Sequence, residues 1–146
     1  MDTTPDGLDL PALSAWIAGH VAEPAAPLGA ELIAGGRSNL TYRVTDGTHR
    51  WVVRRPPLGH VVATAHDMGR EFRVMSALAG SPVPVPVTRA HCDDDSVIGA
   101  PFYVMDEVDG RVVRDVDELR SFSTDDAVAV THDLVDVLAR LHSLDP

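Results

Sequence analysis

The sequence predicts an α+β fold in which five antiparallel strands form one sheet with a helix packed on it. Three observations predict this fold. Short runs rich in β-branched and aromatic residues are separated by glycine, proline and Asp-Gly turns. An amphipathic helix follows the third run, and two further runs come after it. A longer amphipathic helix lies near the end of the chain.

The N-terminal segment is predicted to form a helix from Asp9 to His20. Asp9 can cap it, and Pro11 lies in the first turn, where a missing N–H is harmless. Its apolar stripe consists of Leu10, Leu13, Ile17 and Val21. Prolines at 24 and 27 follow the helix and favour a linker.

A three-stranded meander is predicted between residues 28 and 55. Its strands are joined by a glycine-rich loop and by the turn signal Asp46-Gly47, and Pro56 stops the last strand. The strands are predicted at 31–34, 40–44 and 50–55, with the loop at 35–39.

A second helix is predicted from Asp67 to Ala79, and Gly80 ends it. Its apolar face consists of Met68, Phe72, Met75 and Leu78 or Ala79. Two more strands are predicted at 88–92 and 101–105, on either side of an acidic turn at Asp93–Asp95. The last helix begins near Thr124, and its wide apolar stripe needs a surface to pack against: Val130, Leu134, Val137, Leu138 and Leu141.

Composition excludes several functions. All 12 basic residues are arginine, so a lysine Schiff base and a Walker-type phosphate lysine are excluded. The net charge of -10 disfavours nucleic acid and anionic membrane surfaces as partners. Cys92 is the single cysteine, and no apolar run approaches the roughly 20 residues that span a membrane. We therefore expect a soluble cytoplasmic protein.

Strand periodicity places Val52 and Arg54 on one face of the third strand, and Trp51, Val53 and Arg55 on the other. Two interpretations of the charges stay open on spacing alone. Arg54 could reach a bound phosphate while Glu71 of the second helix holds it. Alternatively, Arg54 and Arg55 are solvated strand-end charges and Glu71 is an exposed helix acid.

Two loops carry similar alternatives. Residues 35–39 could close over phosphates through backbone N–H groups, or they could form an ordinary Gly-Gly hairpin turn. Residues 105–110 could link two lobes, or they could be an edge strand that runs into an Asp-Gly turn. No metal site is predicted, because the histidines are scattered and Cys92 lacks partners at ligand spacing. His66-Asp67 is interpreted as a helix start and Cys92 as a packing residue.

Together, several segments resemble the aminoglycoside phosphotransferase-like family, in the branch related to the kinase-like domain of some acyl-CoA dehydrogenases. These segments are GGRSNLTYRVTDG, WVVRRPPLGHVVATAHDMGREFRVMSAL, PVPVP, VIGAPFYVMDEVDGRVVRD and LARLHSLDP. The resemblance implies a protein-kinase-like N-lobe at 28–105, a hinge at 106–110 and the start of a truncated C-lobe at 111–146. Residues 1–27 form the preceding helix and linker.

The resemblance also implies phosphoryl transfer from ATP to a hydroxyl group of a small molecule, with Mg²⁺ expected only in a complete enzyme. It implies nucleotide contacts from Gly35, Gly36, Ser38, Asn39, Val52, Arg54, Glu71, Met105, Asp106 and Val108. The family's catalytic His-Gly-Asp loop does not occur in this sequence, and Arg54 stands where most kinases have lysine. We therefore assign no catalytic residue and expect no activity from the chain alone.

Two alternatives remain open beside this prediction. The chain could be a non-catalytic nucleotide-binding or interaction module. It could also be a truncated or split gene product that needs a separate C-lobe polypeptide. The expected protein partner is that polypeptide or a second copy of the chain, bound through the helix at 124–143. A nucleotide is the expected ligand in the kinase-like and binding-module interpretations.

Overall fold

The computed structural model describes residues 4–34, 39–59, 67–113 and 115–145. It confirms the predicted α+β architecture and adds one short helix, α3, that was not predicted. In chain order the elements are α1 Leu10–His20, β1 Gly29–Ala34, β2 Leu40–Thr45, β3 Arg50–Arg55, α2 Met68–Leu78, β4 Thr88–Cys92, β5 Phe102–Asp106, α3 Val116–Arg120 and α4 Thr124–His142.

The strands form a single sheet in the order β1-β2-β3-β5-β4, and every neighbouring pair is antiparallel. The last strand in sequence, β5, therefore lies between β3 and β4. Its position brings Tyr103 opposite Arg54, and Arg54 is in turn opposite Thr41 of β2. Directly opposed residues share a face of the sheet, so these three side chains form one row across it.

One face of the sheet, called here the core face, carries the hydrophobic core. Leu13 and Ile17 of α1 are fully buried there, and the ring of Trp16 meets Phe102 edge-on at 4.8 Å. The apolar side chains of the core face are Leu40, Tyr42, Val44, Trp51, Val53, Phe102 and Val104, together with the predicted packing residue Cys92. Burial raises the pKa of the Cys92 thiol, which suits a packing role.

The N-terminal segment is fastened to the core face by polar groups. The Tyr42 hydroxyl donates to the carbonyl of Asp6 at 2.6 Å. The Arg55 guanidinium donates to the carbonyls of Gly7 at 2.5 Å and Ile98 at 2.9 Å. Arg55 is therefore buried, and the alternative that it is a solvated strand-end charge is wrong.

The opposite face, called here the α2 face, carries Thr41, Arg43, Val52, Arg54, Tyr103 and Met105 by alternation along the strands. Helix α2 packs on it. The Phe72 ring stacks on His91 of β4 with centroids 5.6 Å apart, and the Ser76 and Thr88 hydroxyls lie 2.8 Å apart. Asp67 caps the start of α2 by accepting from the N–H of Arg70.

The chain divides into two compact units, residues 1–77 with 86–107, and residues 78–85 with 108–146. In the second unit, Asp115 caps α3 and Ser123 caps α4 through side-chain oxygens. The Arg111 guanidinium lies 4.4 Å from the centre of the Phe122 ring. Within the described part of the chain, no helix is long and apolar enough to cross a membrane.

Candidate functional site

The centre of the candidate site is an ion pair between β3 and α2. The Nε of Arg54 lies 2.9 Å from Oε2 of Glu71, and about a third of each side chain is exposed. The predicted pairing of these two residues is confirmed. The pair forms because alternation turns Arg54 toward the α2 face and because Glu71 lies in the first turn of the helix packed there.

A second contact fixes the plane of the Arg54 guanidinium. Its Nη1 donates to the hydroxyl of Thr41, opposite on β2, at 3.1 Å. Nε and Nη1 are thus occupied, whereas Nη2 has no hydrogen-bond partner among the residues that the structure describes. A guanidinium held at two of its nitrogens presents its remaining N–H groups in a fixed direction, which suits a phosphate oxygen.

Among the described residues, three side chains donate to the Glu71 carboxylate. Besides Arg54, it accepts from the Asn39 amide (Nδ2 to Oε1, 2.8 Å) and from the Tyr103 hydroxyl (to Oε2, 3.1 Å). The sequence predicted a nucleotide contact for Asn39 in the glycine loop, and it predicted Tyr103 and Thr41 only as strand residues. The cross-strand row that joins Thr41, Arg54 and Tyr103 depends on the strand order, which one sequence does not reveal.

The protonation of Tyr103 follows from its surroundings. Burial, and then the nearby Glu71 carboxylate, raise the pKa of the phenol far above its ordinary value, and Arg54 only partly opposes them. The phenol therefore stays protonated over the whole physiological range. The Tyr103 hydroxyl therefore acts as a hydrogen-bond donor to the Glu71 carboxylate.

A cleft of about 430 Å³ opens beside the ion pair. Its wall combines apolar groups with cations and one carboxylate, a combination typical of ligand sites. The lining residues are Arg54, Arg70, Glu71, Val74, Met75, Tyr103 and Met105. A larger hollow of about 650 Å³ lies between α1 and residues 23–28. Among the described residues that line it, none is a predicted site residue and only Glu23 is charged.

The next row of the α2 face supplies an apolar surface. Arg43, Val52 and Met105 are opposed in that order across β2, β3 and β5. Val52 is buried and Met105 is half-buried at the edge of the cleft. Both predicted residues therefore lie one row from Arg54, a relation that would suit a ligand with a flat apolar part and an anionic part.

Two acidic residues at the end of β5, Asp106 and Glu107, are held by hydrogen bonds. The Asp106 N–H donates to the carbonyl of Val87 at 2.9 Å. The Glu107 N–H donates to the carbonyl of Arg50, and its carboxylate accepts from Nε of Arg43 at 2.5 Å. The second oxygen of Glu107 lies 3.9 Å from Nη1 of Arg50, an ion-pair distance too long for a hydrogen bond.

These bonds refine the hinge prediction. The N–H of Asp106 is already used, so its carbonyl is the backbone group that remains for the predicted contact with a nucleotide base. Val108 is exposed and belongs to the second unit. Its predicted contact with a base stays a prediction.

Some predicted positions lie outside the described residues. These are Gly35, Gly36 and Ser38 of the glycine loop, together with His66. Over the described ranges, no cluster of three or more histidine, cysteine or acidic side chains is arranged to hold a metal ion.

A five-stranded antiparallel sheet, with a helix glutamate paired to a strand arginine at a cleft, is the arrangement of a kinase-like phosphotransferase. The chain belongs to that class, because the model of the phosphotransferase enzyme family, APH, matches residues 29–146.

Similar proteins are found among both solved structures and curated sequences. A Ralstonia eutropha protein assigned as an aminoglycoside phosphotransferase, solved by crystallography, superposes with a TM-score of 0.74 at 38% identity, over 94% of this chain and 39% of its own. Human acyl-CoA dehydrogenase family member 11 is 38% identical over 132 residues, which are 90% of this chain and 17% of the human protein. A probable acyl-CoA dehydrogenase of Arabidopsis thaliana, IBR3, is 36% identical over 75% of this chain and 14% of its own length. The chain thus spans less than a fifth of these curated relatives.

Proposed function

We propose that the chain is the ATP-binding portion of a phosphotransferase that moves a phosphoryl group from ATP to a hydroxyl group of a small molecule. The observation that carries the proposal is the Arg54 guanidinium, which Glu71 holds at Nε and Thr41 holds at Nη1, while Nη2 has no hydrogen-bond partner among the described residues. Membership of the phosphotransferase family supports the same chemistry. The dehydrogenase names of the relatives are not carried over, because the matched region is a small part of those proteins.

The roles of the described residues follow from their positions. Arg54 would bind a phosphate oxygen of ATP through Nη2, and Glu71 would keep its guanidinium from turning away. Val52 and Met105 would contact the base, and the carbonyl of Asp106 would accept from its amino group. Phosphoryl transfer depends on positioning and on neutralising the charge of the phosphates. Arginine suits this role because it stays protonated at any physiological pH.

Titration of the isotope-labelled chain with ATP and with adenosine, followed by NMR, tests the proposal. ATP should shift the signals of Arg54, Val52 and Met105, whereas adenosine should leave the Arg54 side chain unaffected. Replacing Arg54 by alanine should weaken ATP binding by about tenfold or more, the value of a charge-assisted hydrogen bond to phosphate. Arg73→Ala removes an exposed arginine of α2, and it should change neither the affinity for ATP nor the affinity for adenosine.

Two results would contradict the proposal. One is the absence of any ATP-dependent shift in the wild-type chain at millimolar nucleotide. The other is equal ATP affinity of the wild type and the Arg54→Ala variant, because the phosphates would then be held elsewhere.

A further inference from the structure

The hydrogen bonds around Glu71 have a consequence for Arg54. A single carboxylate on the first turn of a helix can turn about its side-chain torsions, so one contact with Arg54 would leave both groups mobile. Here Oε1 is bound by the Asn39 amide and Oε2 by the Tyr103 hydroxyl. Those two donors come from different parts of the chain, since Asn39 immediately precedes β2 and Tyr103 lies within β5. They therefore fix the carboxylate from two directions.

We propose that Asn39 and Tyr103 are positioning residues, which hold the Glu71 carboxylate so that the Arg54 guanidinium stays aimed at a phosphate. The inference rests on the proposed function, since a phosphate is the ligand that Arg54 would meet. Neither residue is assigned a contact with the phosphate by this inference. Both act through Glu71.

Burial supports the inference. Asn39 and Tyr103 are 6% and 2% exposed. On folding, their polar groups therefore lose hydrogen bonds to water and gain hydrogen bonds to Glu71. If the Glu71 carboxylate turned away, these buried donors would lose their acceptor and water could not replace it. The arrangement therefore favours one orientation of the carboxylate. The raised pKa of Tyr103 keeps the phenol a donor throughout the physiological range. The ring of Tyr103 also meets Phe72 of α2 at 6.2 Å, so the phenol cannot swing away freely.

The other polar residue of this row serves Arg54 directly. The Thr41 hydroxyl accepts from Nη1, opposite the side on which Glu71 binds Nε. Arg54 is thus held at two nitrogens, one by Thr41 and one by a carboxylate that is itself held. Loss of Asn39 or Tyr103 should loosen only the second support. We therefore expect partial and not complete loss of guanidinium order.

The experiment measures Arg54 itself by NMR, as the rate at which its Nε proton exchanges with water. Arg54→Lys assigns the signal by deleting it. In Tyr103→Phe, which keeps the ring and removes only the hydroxyl, the exchange should be about tenfold faster. Asn39→Asp should have a larger effect, because it sets a second carboxylate about 2.8 Å from Glu71.

Tyr42→Phe is the matched control. It removes an equally buried tyrosine hydroxyl whose hydrogen bond, to the carbonyl of Asp6, lies on the core face. Its general effect on stability should resemble that of Tyr103→Phe, but the Arg54 proton should exchange at the wild-type rate. Unchanged exchange in Tyr103→Phe and Asn39→Asp would overturn the inference. Equal acceleration in Tyr42→Phe would also overturn it, since the effect would then be general loosening.

A second measurement links the two residues to phosphate. The ratio of ATP affinity to adenosine affinity should fall about tenfold in Tyr103→Phe and stay at the wild-type value in Tyr42→Phe. If the wild-type chain binds no ATP, the proposed function is wrong. The exchange rates of the Arg54 proton would still decide whether Asn39 and Tyr103 position Arg54. If the wild-type chain binds ATP but the ratio of ATP affinity to adenosine affinity is unchanged in Tyr103→Phe, only the positioning role is wrong.

Discussion

Arg89 binds Asp106 through two nitrogens on one edge of its guanidinium: Nε lies 2.7 Å from Oδ1 and Nη2 lies 2.6 Å from Oδ2. The pair joins β4 to the end of β5, at Asp106, which is the first residue of the segment predicted to be a hinge. A bidentate arginine–carboxylate pair restricts orientation more than a single ion pair does. The side chain of Asp106 is therefore bound within the sheet, and because its N–H bonds to Val87, its backbone carbonyl is the group that remains for the predicted ligand contact.

Replacing Arg89 by lysine should lower the free energy of unfolding by about 0.5–1 kcal/mol, because lysine keeps the charge but cannot make both bonds. The loss is modest because Arg89 is nearly half exposed. Urea unfolding followed by circular dichroism measures it. Glu31→Gln removes an exposed partner of Arg43 and should change stability by less than about 0.5 kcal/mol. Equal stabilities of Arg89→Lys and Glu31→Gln would contradict the prediction.

Two glycines with almost the same backbone angle should respond differently to alanine. Gly7 and Gly47 have φ of 87° and 86°, but a Cβ at Gly7 would come within 2.9 Å of Leu58 and of the Tyr42 hydroxyl, whereas a Cβ at Gly47 meets nothing within 4 Å. Gly47→Ala should cost about 1 kcal/mol from the backbone alone. Gly7→Ala should cost about 2–4 kcal/mol, since overpacking is added.

Thermal and urea unfolding of these two alanine variants would measure the difference. A Gly7→Ala variant as stable as Gly47→Ala would show that the N-terminal segment lifts from the core face at little cost. In that case the bonds from Tyr42 and Arg55 to Asp6 and Gly7 would contribute little to stability.

Asp46 should make stability depend on pH in the acid range. Burial acts to raise the pKa of its carboxyl, but hydrogen bonds from the His49 ring and from the N–H groups of His49, Ala25 and Thr48 outweigh it, and the pKa falls well below its ordinary value. A depressed folded-state pKa adds stability above the unfolded pKa, about 3.9, and that stability is lost as pH falls through the folded pKa.

The Asp46→Asn variant should therefore be less stable than wild type at pH 7, because it lacks the charge that these donors stabilise. The difference should persist down to about pH 4 and narrow below it. Urea midpoints measured from pH 7 to pH 2 test this expectation. Glu31→Gln, at an exposed carboxylate, should show a much smaller difference across the same range. A constant difference between wild type and Asp46→Asn would mean that another interaction is responsible.

Helix α4 leaves its predicted apolar stripe uncovered. Val130, Leu134, Leu138 and Leu141 are between 41% and 68% exposed. We propose that this stripe binds a second copy of the chain, since contiguous exposed apolar groups favour association. Sedimentation over a range of concentrations should show a dimer in the wild type and a monomer in Leu134→Ser. Asp133→Ser, at a neighbouring polar position, should dimerise as the wild type does.

A wild-type chain that stays monomeric at high concentration would contradict self-association. If the chain associates only with a separately supplied C-lobe polypeptide, that polypeptide and not a second copy of the chain is the partner of the stripe.

The positions of the strands and of the longer helices could be predicted because periodicity and turn residues are local. The predicted ends of these elements agree with the structure to within two residues. Helix α3 was missed because its five residues are too few to show a helical period; Asp115, which caps it, was the available signal. The Arg54–Glu71 pair was predicted from strand parity and family order. The contributions of Thr41 and Tyr103 were not, because they depend on which strands are neighbours, and β5 pairs with β3 across 46 intervening residues.

Neighbouring residues of β3 lie on opposite faces of the sheet, because Val53 packs in the core and Arg54 lines the cleft. An insertion or deletion of one residue within β3 would exchange the two sets, turning a guanidinium into the core and a valine toward the cleft. Changes of chain length should consequently be tolerated at turns such as residues 93–95 and rejected inside the strands. Evolution of this domain should then preserve strand length strictly even where the individual side chains of the cleft change.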